Sequence, residues 1–351
     1  TDKPKVTIKE LPNSEVEIEG ELTPESVEVA RKKALKNLGD RLEIPGFRKG
    51  HIPEHIIVGK IGEMGILEEA AEIALAEAYY HILHDNRIDA IGKPQVTVTK
   101  LAKDNPLGFK IQTAVMPTVG LPEYKALAKK VMSKKEEPSE VTEKEVDDVI
   151  TEIRKRQKQA SPSAKEVGQP KEAGTEKEEV PVITDELAKT LGDFKDLADL
   201  KSKIKENLAK EKGQRAKEKQ RLALIEELVG QSKIDLPAVL VEAELHKMTA
   251  RFRDDIEQLG LKFEDYLKSI KKTGDEIRKE WRDDATKRAK LQLILNKIAK
   301  EEKIVPPQER VEEEVKHVLS HYKDADPERA RIYIESVLSN EKVFELLEGQ
   351  E

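Results

Sequence analysis

The stretch "IPGFRKGHIPEHIIVGKIG", residues 44–62, holds two competing chemistries. His51, Glu54 and His55 fit the H-x-x-E-H pattern of a class of zinc peptidases. Gly46-Phe47-Arg48-Lys49-Gly50 is instead a glycine-bracketed tip, aromatic and basic, that would touch a partner. The zinc reading needs both histidines on one helical face four residues apart. Pro53 lies between them. Lacking an N–H, proline belongs in the first turn of a helix, so His51 falls at or before the cap and off the face of His55. The docking reading meets no such objection. Gly46 and Gly50 permit positive φ and a tight turn, which presents the three residues between them outward. Phe47 supplies apolar area, while Arg48 and Lys49 can pair with carboxylates or phosphates. An aromatic beside an arginine has the makeup of an interface hot spot, worth roughly 2 kcal/mol or more on truncation. Composition alone leaves a second fate open for Phe47, burial in the core of its own domain.

Bulk properties narrow the classes. A chain of 351 residues allows about two or three domains. Aromatic residues make up only 4% and charged residues 38%, which suits long, surface-rich helices with thin apolar seams. No run of 18 apolar residues occurs, so no membrane-spanning helix is expected, and no signal-peptide core stands at the start. Without cysteine there are no disulfides and no thiolate metal sites. A net charge of −7 disfavours broad coating of nucleic acid and leaves any phosphate contact to a local basic cluster.

Residues 1–130 read as α+β. Val6 and Ile8, then Val16 and Ile18, alternate with polar residues as half-buried strands do. Thr23-Pro24 starts a helix with an apolar face of Val27, Ala30, Ala34 and Leu38. Ile66, Ala70, Ile73, Ala74 and Ala78 mark a second helix. Val96 and Val98, then Phe109, Ile111, Thr113 and Val115, mark two more strands, and the order fits helices packed on one face of an antiparallel sheet. Residues 131–182 hold a helix and a tether. Thr142 and Glu145 form a capping box ahead of Val146, Ile150 and Ile153. The segment 160–181 has three prolines, two glycines and no aromatic, too little apolar surface to offset its ordering entropy.

Residues 183–351 read as helical. Leu197, Leu200, Ile204 and Leu208 form a seam that the charged run at 210–220 interrupts before Leu222, Ile225 and Leu228 resume it. A helix polar all round in its middle is expected to lie in solvent there, as an arm. Val241, Leu245, Met248, Phe252, Ile256 and Leu259 run as a stripe to Gly260, a C-terminal cap. Thr273 and Glu276 form another capping box, opening a helix with Ile277, Trp281, Ala285 and Ile294. Val311, Val315, Val318 and Tyr322 line a further helix, and Asp326-Pro327 opens one bearing Ile332, Tyr333, Val337 and Leu338.

Gly46-Phe47-Arg48-Lys49-Gly50-His51-Ile52-Pro53 resembles the G-F-R-x-G-x-x-P signature of the bacterial trigger factors, ribosome-associated chaperones. The strands, the alanine-rich helix and "IGKPQVTV" at 91–98 are similar to that family's ribosome-binding domain. "LAKTLGDFKDLADLKSKIKENL" at 187–208 and "QSKIDLPAVLVEAEL" at 231–245 resemble its helical domain. The resemblance implies an α+β ribosome-binding domain, an antiparallel sheet with helices, followed by an elongated all-α chaperone domain with helical arms. By matched position, Phe47, Arg48 and Lys49 would bind an exit-tunnel protein of the large ribosomal subunit and adjacent rRNA, with Gly46 and Gly50 as turn formers. The family usually carries a prolyl isomerase of the FK506-binding type between these domains. Here the tether takes its place, so no isomerase activity is expected.

No serine–histidine–aspartate arrangement or phosphate-binding glycine loop is visible, and neither cofactor, metal nor ATP dependence is expected. Nascent or unfolded polypeptides are the expected clients, held in the cytoplasm, and a homodimer off the ribosome stays open. Met248, Phe252, Tyr322, Ile332, Tyr333 and Val337 are the client-facing candidates, with core packing as the competing reading of each. Three rivals stand beside this reading. They are a zinc hydrolase using His51, Glu54 and His55, an extracytoplasmic peptide-binding chaperone of the SurA type, and a purely structural helical scaffold.

Overall fold

The computed structural model describes residues 4–45, 47–48, 50–134, 140–160, 194–322 and 325–349. In chain order, β1 (Lys5–Leu11), β2 (Glu15–Leu22), α1 (Pro24–Arg41), α2 (Glu54–Ile61), α3 (Glu63–Asn86), β3 (Ala90–Lys100), β4 (Leu107–Val115) and β5 (Val119–Gly120) come first. There follow α4 (Tyr124–Met132), α5 (Glu143–Ala160), α6 (Leu197–Gln231), β6 (Lys233–Ile234), α7 (Ala238–Gln258), α8 (Phe263–Ser269) and α9 (Gly274–Glu280). The last elements are α10 (Arg282–Glu301), α11 (Gln308–His321) and α12 (Pro327–Glu348). Thus an antiparallel sheet with helices gives way to a mostly helical remainder. Of the tether read from the sequence, residues 161–181 lie outside the described residues.

Two compact units form. One combines the chain up to Leu121 with Gln231–Val305; the other combines Pro122–Gly230 with Pro306 onward.

In the first unit the sheet order is β1-β2-β4-β3, antiparallel throughout. Ile18 stands opposite both Ile8 and Ile111, so alternate residues put one apolar row on one face. Ile18, Phe109 and Ile111 are fully buried there against Val27, Ala30 and Ala34 of α1 and Ala70, Ala74 and Ala78 of α3. Alanines along both helices leave room for the large sheet side chains. Burying Phe109 alone contributes about 1.5–3 kcal/mol. Gly20 makes its position possible: a Cβ there would stand 2.7 Å from the Lys5 carbonyl and 3.2 Å from the Phe109 ring.

Val96 and Val98 stand opposite Ile111 and Phe109, yet are 47% and 42% exposed. Half-burial was the expectation. They sit on the outermost strand, at the sheet margin.

The motif Ile234-Asp235-Leu236-Pro237 is joined to the start of the chain. Val119 pairs with Ile234, a two-residue ladder that no periodicity announces. The Ser14 backbone N–H donates to Asp235 Oδ2 at 3.0 Å, and its hydroxyl donates to the Asp235 carbonyl at 2.7 Å. Pro237 then caps α7. Val241, Leu245 and Ala285 pack α7 on α10, and Gly260 (φ 77°) ends the run as expected. Leu259 falls past the end of α7 and is 74% exposed, so it leaves the predicted stripe. The helix expected from Thr273 onward divides at Trp281 into α9 and α10.

In the second unit α6 is one helix of 35 residues. Its charged middle is not wholly solvated, contrary to expectation. Lys212 Nζ meets Glu145 Oε2 at 2.8 Å, and Gln220 Nε2 donates to the Lys134 carbonyl at 3.2 Å. Polar side chains thus supply contacts where the apolar seam lapses. Arg221 pairs with Glu348 and stands 5.0 Å from the centre of the Phe344 ring. Val311, Ile334 and Leu338 join α11 to α12.

Candidate docking loop and client surfaces

The loop between α1 and α2 is held from both sides. Leu42 and Ile44 before the tip, and Ile52 after it, pack with Leu35 and Leu38 of α1, Ile57 of α2 and Ile66 of α3. Its backbone closes on itself: Phe47 N–H donates to the Ile44 carbonyl at 3.1 Å, and His51 N–H to the Arg48 carbonyl at 3.0 Å. Gly50 N–H reaches back to the Gly39 carbonyl at 3.1 Å. Gly50 has φ 79°, and a Cβ there would stand 2.5 Å from Asp40 Oδ1. Glycine is therefore favoured by conformation, and a Cβ would also require the exposed Asp40 carboxylate to move.

Between these anchors Phe47 is 42% exposed and Arg48 is exposed. The competing burial of Phe47 does not occur. Gly46 and Lys49 lie outside the described residues.

Arg31 fixes the helices that carry the loop. Its guanidinium is largely buried, with Nη1 2.8 Å from Glu54 Oε1 and Nε 3.0 Å from Glu63 Oε1. The hydrogen bond from Arg31 holds the Glu63 carboxyl below its ordinary pKa, and the pairing raises that of Arg31. One cation thus ties α1 to the first residues of α2 and α3. Arg31 was missed in the sequence. Its signal was position: it lies on the apolar face of α1, one residue after Ala30 and three before Ala34.

The zinc pattern does not assemble. Pro53 is the N-cap of α2 (φ −60°, ψ 145°), so Glu54 and His55 are helical and His51 is not. Glu54 is engaged by Arg31. Among the described residues, no three His, Cys, Asp or Glu side chains gather to hold a metal ion.

The six client candidates separate into two groups. Met248 is half-buried against Val241, Leu245 and Ala285. Phe252 is half-buried and makes edge contacts with Phe263, Tyr266 and Trp281, ring centres 5.2–5.9 Å apart. Both therefore pack within the first unit. Tyr322, Ile332, Tyr333 and Val337 are 65%, 63%, 64% and 43% exposed in the second unit. The spacing explains the last three: Ala330, Ile334 and Leu338 take the buried side of α12 and leave 332, 333 and 337 outside. Leu259 and Leu261, not among the candidates as exposed residues, are 74% and 51% accessible at the end of α7.

The chain combines a sheet backed by two helices, a pinned loop with an exposed aromatic tip and helices that expose apolar side chains. Comparison with known proteins gives it a family. A family model described as "Bacterial trigger factor protein (TF)" matches residues 4–153, and one described as "Bacterial trigger factor protein (TF) C-terminus" matches 196–348. The chain belongs to the bacterial trigger factor family, the ribosome-associated chaperones. The trigger factor of Halothermothrix orenii is 26% identical over 404 positions, covering 93% of this chain and 92% of that protein. That of Clostridium botulinum is 24% identical over 427 positions, covering 97% and 98%. Both alignments run longer than the 351 residues present here, so these relatives carry residues this chain lacks. A solved structure described as "Promiscuous Substrate Recognition in Folding and Assembly Activities of the Trigger Factor Chaperone" is similar in fold. Its TM-score is 0.54 at 20% identity, over 99% of this chain and 100% of that one. The SurA-type and zinc-hydrolase readings are not favoured by these matches. Among the described residues, no helix is long and apolar enough to cross a membrane.

Proposed function

We propose that the chain docks at the ribosomal exit tunnel through residues 46–50 and holds emerging polypeptides on dispersed apolar side chains, without ATP. The exposure of Phe47 between half-buried Ile44 and buried Ile52 carries this reading. An aromatic left in water between pinned flanks loses little further freedom when it enters a partner's pocket. Arg48 and Lys49 suit acidic protein groups and rRNA phosphates on the large subunit. Two cations give a salt-sensitive, reversible attachment. Tyr322, Ile332, Tyr333 and Val337 form the main client surface, with Met248 and Phe252 contributing where their half-buried edges are accessible. Many weak contacts act together by raising local concentration.

Residues 1–130 serve docking, 131–182 link, and 183–351 hold clients; the protein works in the cytoplasm. It has no prolyl isomerase activity. The matched segments leave only 154–195 between them, shorter than the roughly 50 residues at which domains begin. The test is co-sedimentation with ribosomes across a salt series, run beside a proline-limited refolding assay. Binding that weakens with salt and no acceleration of refolding are expected. Absent co-sedimentation, or catalysis blocked by an FK506-type inhibitor, would overturn the corresponding half.

A further inference from the structure

Two histidine pairs in the sequence are four residues apart, His51 with His55 and His317 with His321. The first straddles the start of α2 and cannot share a helical face. The second lies wholly within α11, both side chains exposed, ring centres 4.6 Å apart.

The local hydrogen bonding prepares one ring for a ligand's role. His321 Nδ1 stands 3.0 Å from the His317 carbonyl oxygen. Ser320 Oγ stands 3.0 Å from the same nitrogen, and its hydroxyl donates to that carbonyl at 2.7 Å. Both neighbours are then acceptors toward Nδ1, an arrangement that the Nδ1–H tautomer satisfies and that leaves Nε2 its lone pair. An imidazole held by its Nδ1–H on a backbone carbonyl is the usual arrangement of a metal-ligating histidine. The ring separation gives a second criterion. With a metal–nitrogen distance of about 2.0–2.1 Å, each ring centre lies roughly 3.2 Å from a shared ion. Two such rings are then roughly 4.5 Å apart at a right angle and roughly 5.2 Å apart at the tetrahedral angle. The observed 4.6 Å is closest to the right-angle arrangement, that of adjacent positions in square-planar or octahedral coordination. Glu313 and Glu314, one turn earlier on α11, add negative charge that draws cations.

We propose that His317 and His321 form a two-imidazole surface site for a divalent transition ion of the Cu²⁺ or Ni²⁺ class. Both ligands bind as neutral imidazoles, and water completes the coordination. With two protein ligands the ion is exchangeable. Its remaining positions are open to donors from another molecule, since both imidazoles are exposed. The site is independent of the docking and client assignments.

Isothermal titration of tag-free, full-length protein with Ni²⁺, repeated with Cu²⁺, tests it. One ion per chain is expected. His317→Asn and His321→Asn should each weaken binding by at least about tenfold, because either change removes the chelate, while His51→Asn leaves it unchanged. Circular dichroism on each variant confirms equal helicity. The proposal is overturned if the unaltered protein shows no saturable single site, if both α11 variants bind as before, or if His51→Asn loses as much.

Discussion

The α1–α2 loop and the outer side of α12 expose apolar surface in opposite ways. The loop concentrates it: one aromatic, one neighbouring arginine, and flanks buried among at least six aliphatic side chains. The helix disperses it: Ile332, Tyr333 and Val337 stand on a regular scaffold with Tyr322 just before it. A pinned aromatic tip suits a single fixed partner. A row of aliphatic and tyrosine side chains on a helix accepts many sequences weakly. The two regions should therefore respond differently to mutation, steeply in the loop and gradually on the helix.

The largest effect is expected from replacing Phe47, Arg48 and Lys49 together with alanine. Loss of a hot spot worth about 2 kcal/mol lowers ribosome affinity by at least about 30-fold. Thermal unfolding should not change, because Phe47 and Arg48 are exposed. Next comes Arg31→Met, which removes the charged hydrogen bonds tying α2 and α3 to α1. It should cost about 2 kcal/mol in denaturant unfolding, the partners being partly solvated. Ribosome affinity should fall too, by less than in the triple variant. Gly50→Ala forces a Cβ into positive φ and onto Asp40, at about 1–2 kcal/mol by unfolding midpoint. On the helix, Tyr333→Ala alone should change affinity for an unfolded client by less than about threefold, and replacing all four exposed residues by more than about tenfold. A flat response to the fourfold variant would remove the contrast.

The smallest effect expected is on pH dependence. Lys212, then the Thr142 backbone, hold the Glu145 carboxyl near a pKa of about 2, against 4.5 ordinarily. A depressed carboxyl pKa stabilises the fold fully above the ordinary value. That stability is lost as pH falls through the interval from 4.5 toward about 2. Glu145→Gln should flatten this part of an acid unfolding curve by a small margin, since the group is at the surface.

How much of this was legible in the sequence depended on range. Period-2 and period-3.6 patterns gave β1, β2, β4, α1, α3 and the long helices, because each element's buried face is written in its own spacing. Capping followed from local chemistry: Thr273 and Glu276 exchange both expected hydrogen bonds, and Asp326 accepts from the N–H groups of Glu328 and Arg329. The tip was visible as a glycine bracket, and the position of Pro53 alone was enough to weaken the zinc pattern. Long-range partnership was not legible. Nothing local says that Asp235 meets Ser14, or that Arg31 turns from the apolar face of α1 to two carboxylates on other helices. Edge position was hidden as well, so Val96 and Val98 read as half-buried although no strand lies beyond them among the described residues. Met248 and Phe252 matched a stripe whose packing partners, Trp281 and Phe263, come from later helices.

The contrast between loop and helix is tested most directly by site-specific photo-crosslinking on translating ribosomes. One photoreactive residue is placed at position 47 and another, in a separate protein, at position 333. Crosslinks from 47 to a ribosomal component and from 333 to the nascent chain are the expected pair. Nascent-chain crosslinks from 47 without any ribosomal product, or ribosomal crosslinks from 333 alone, would contradict it.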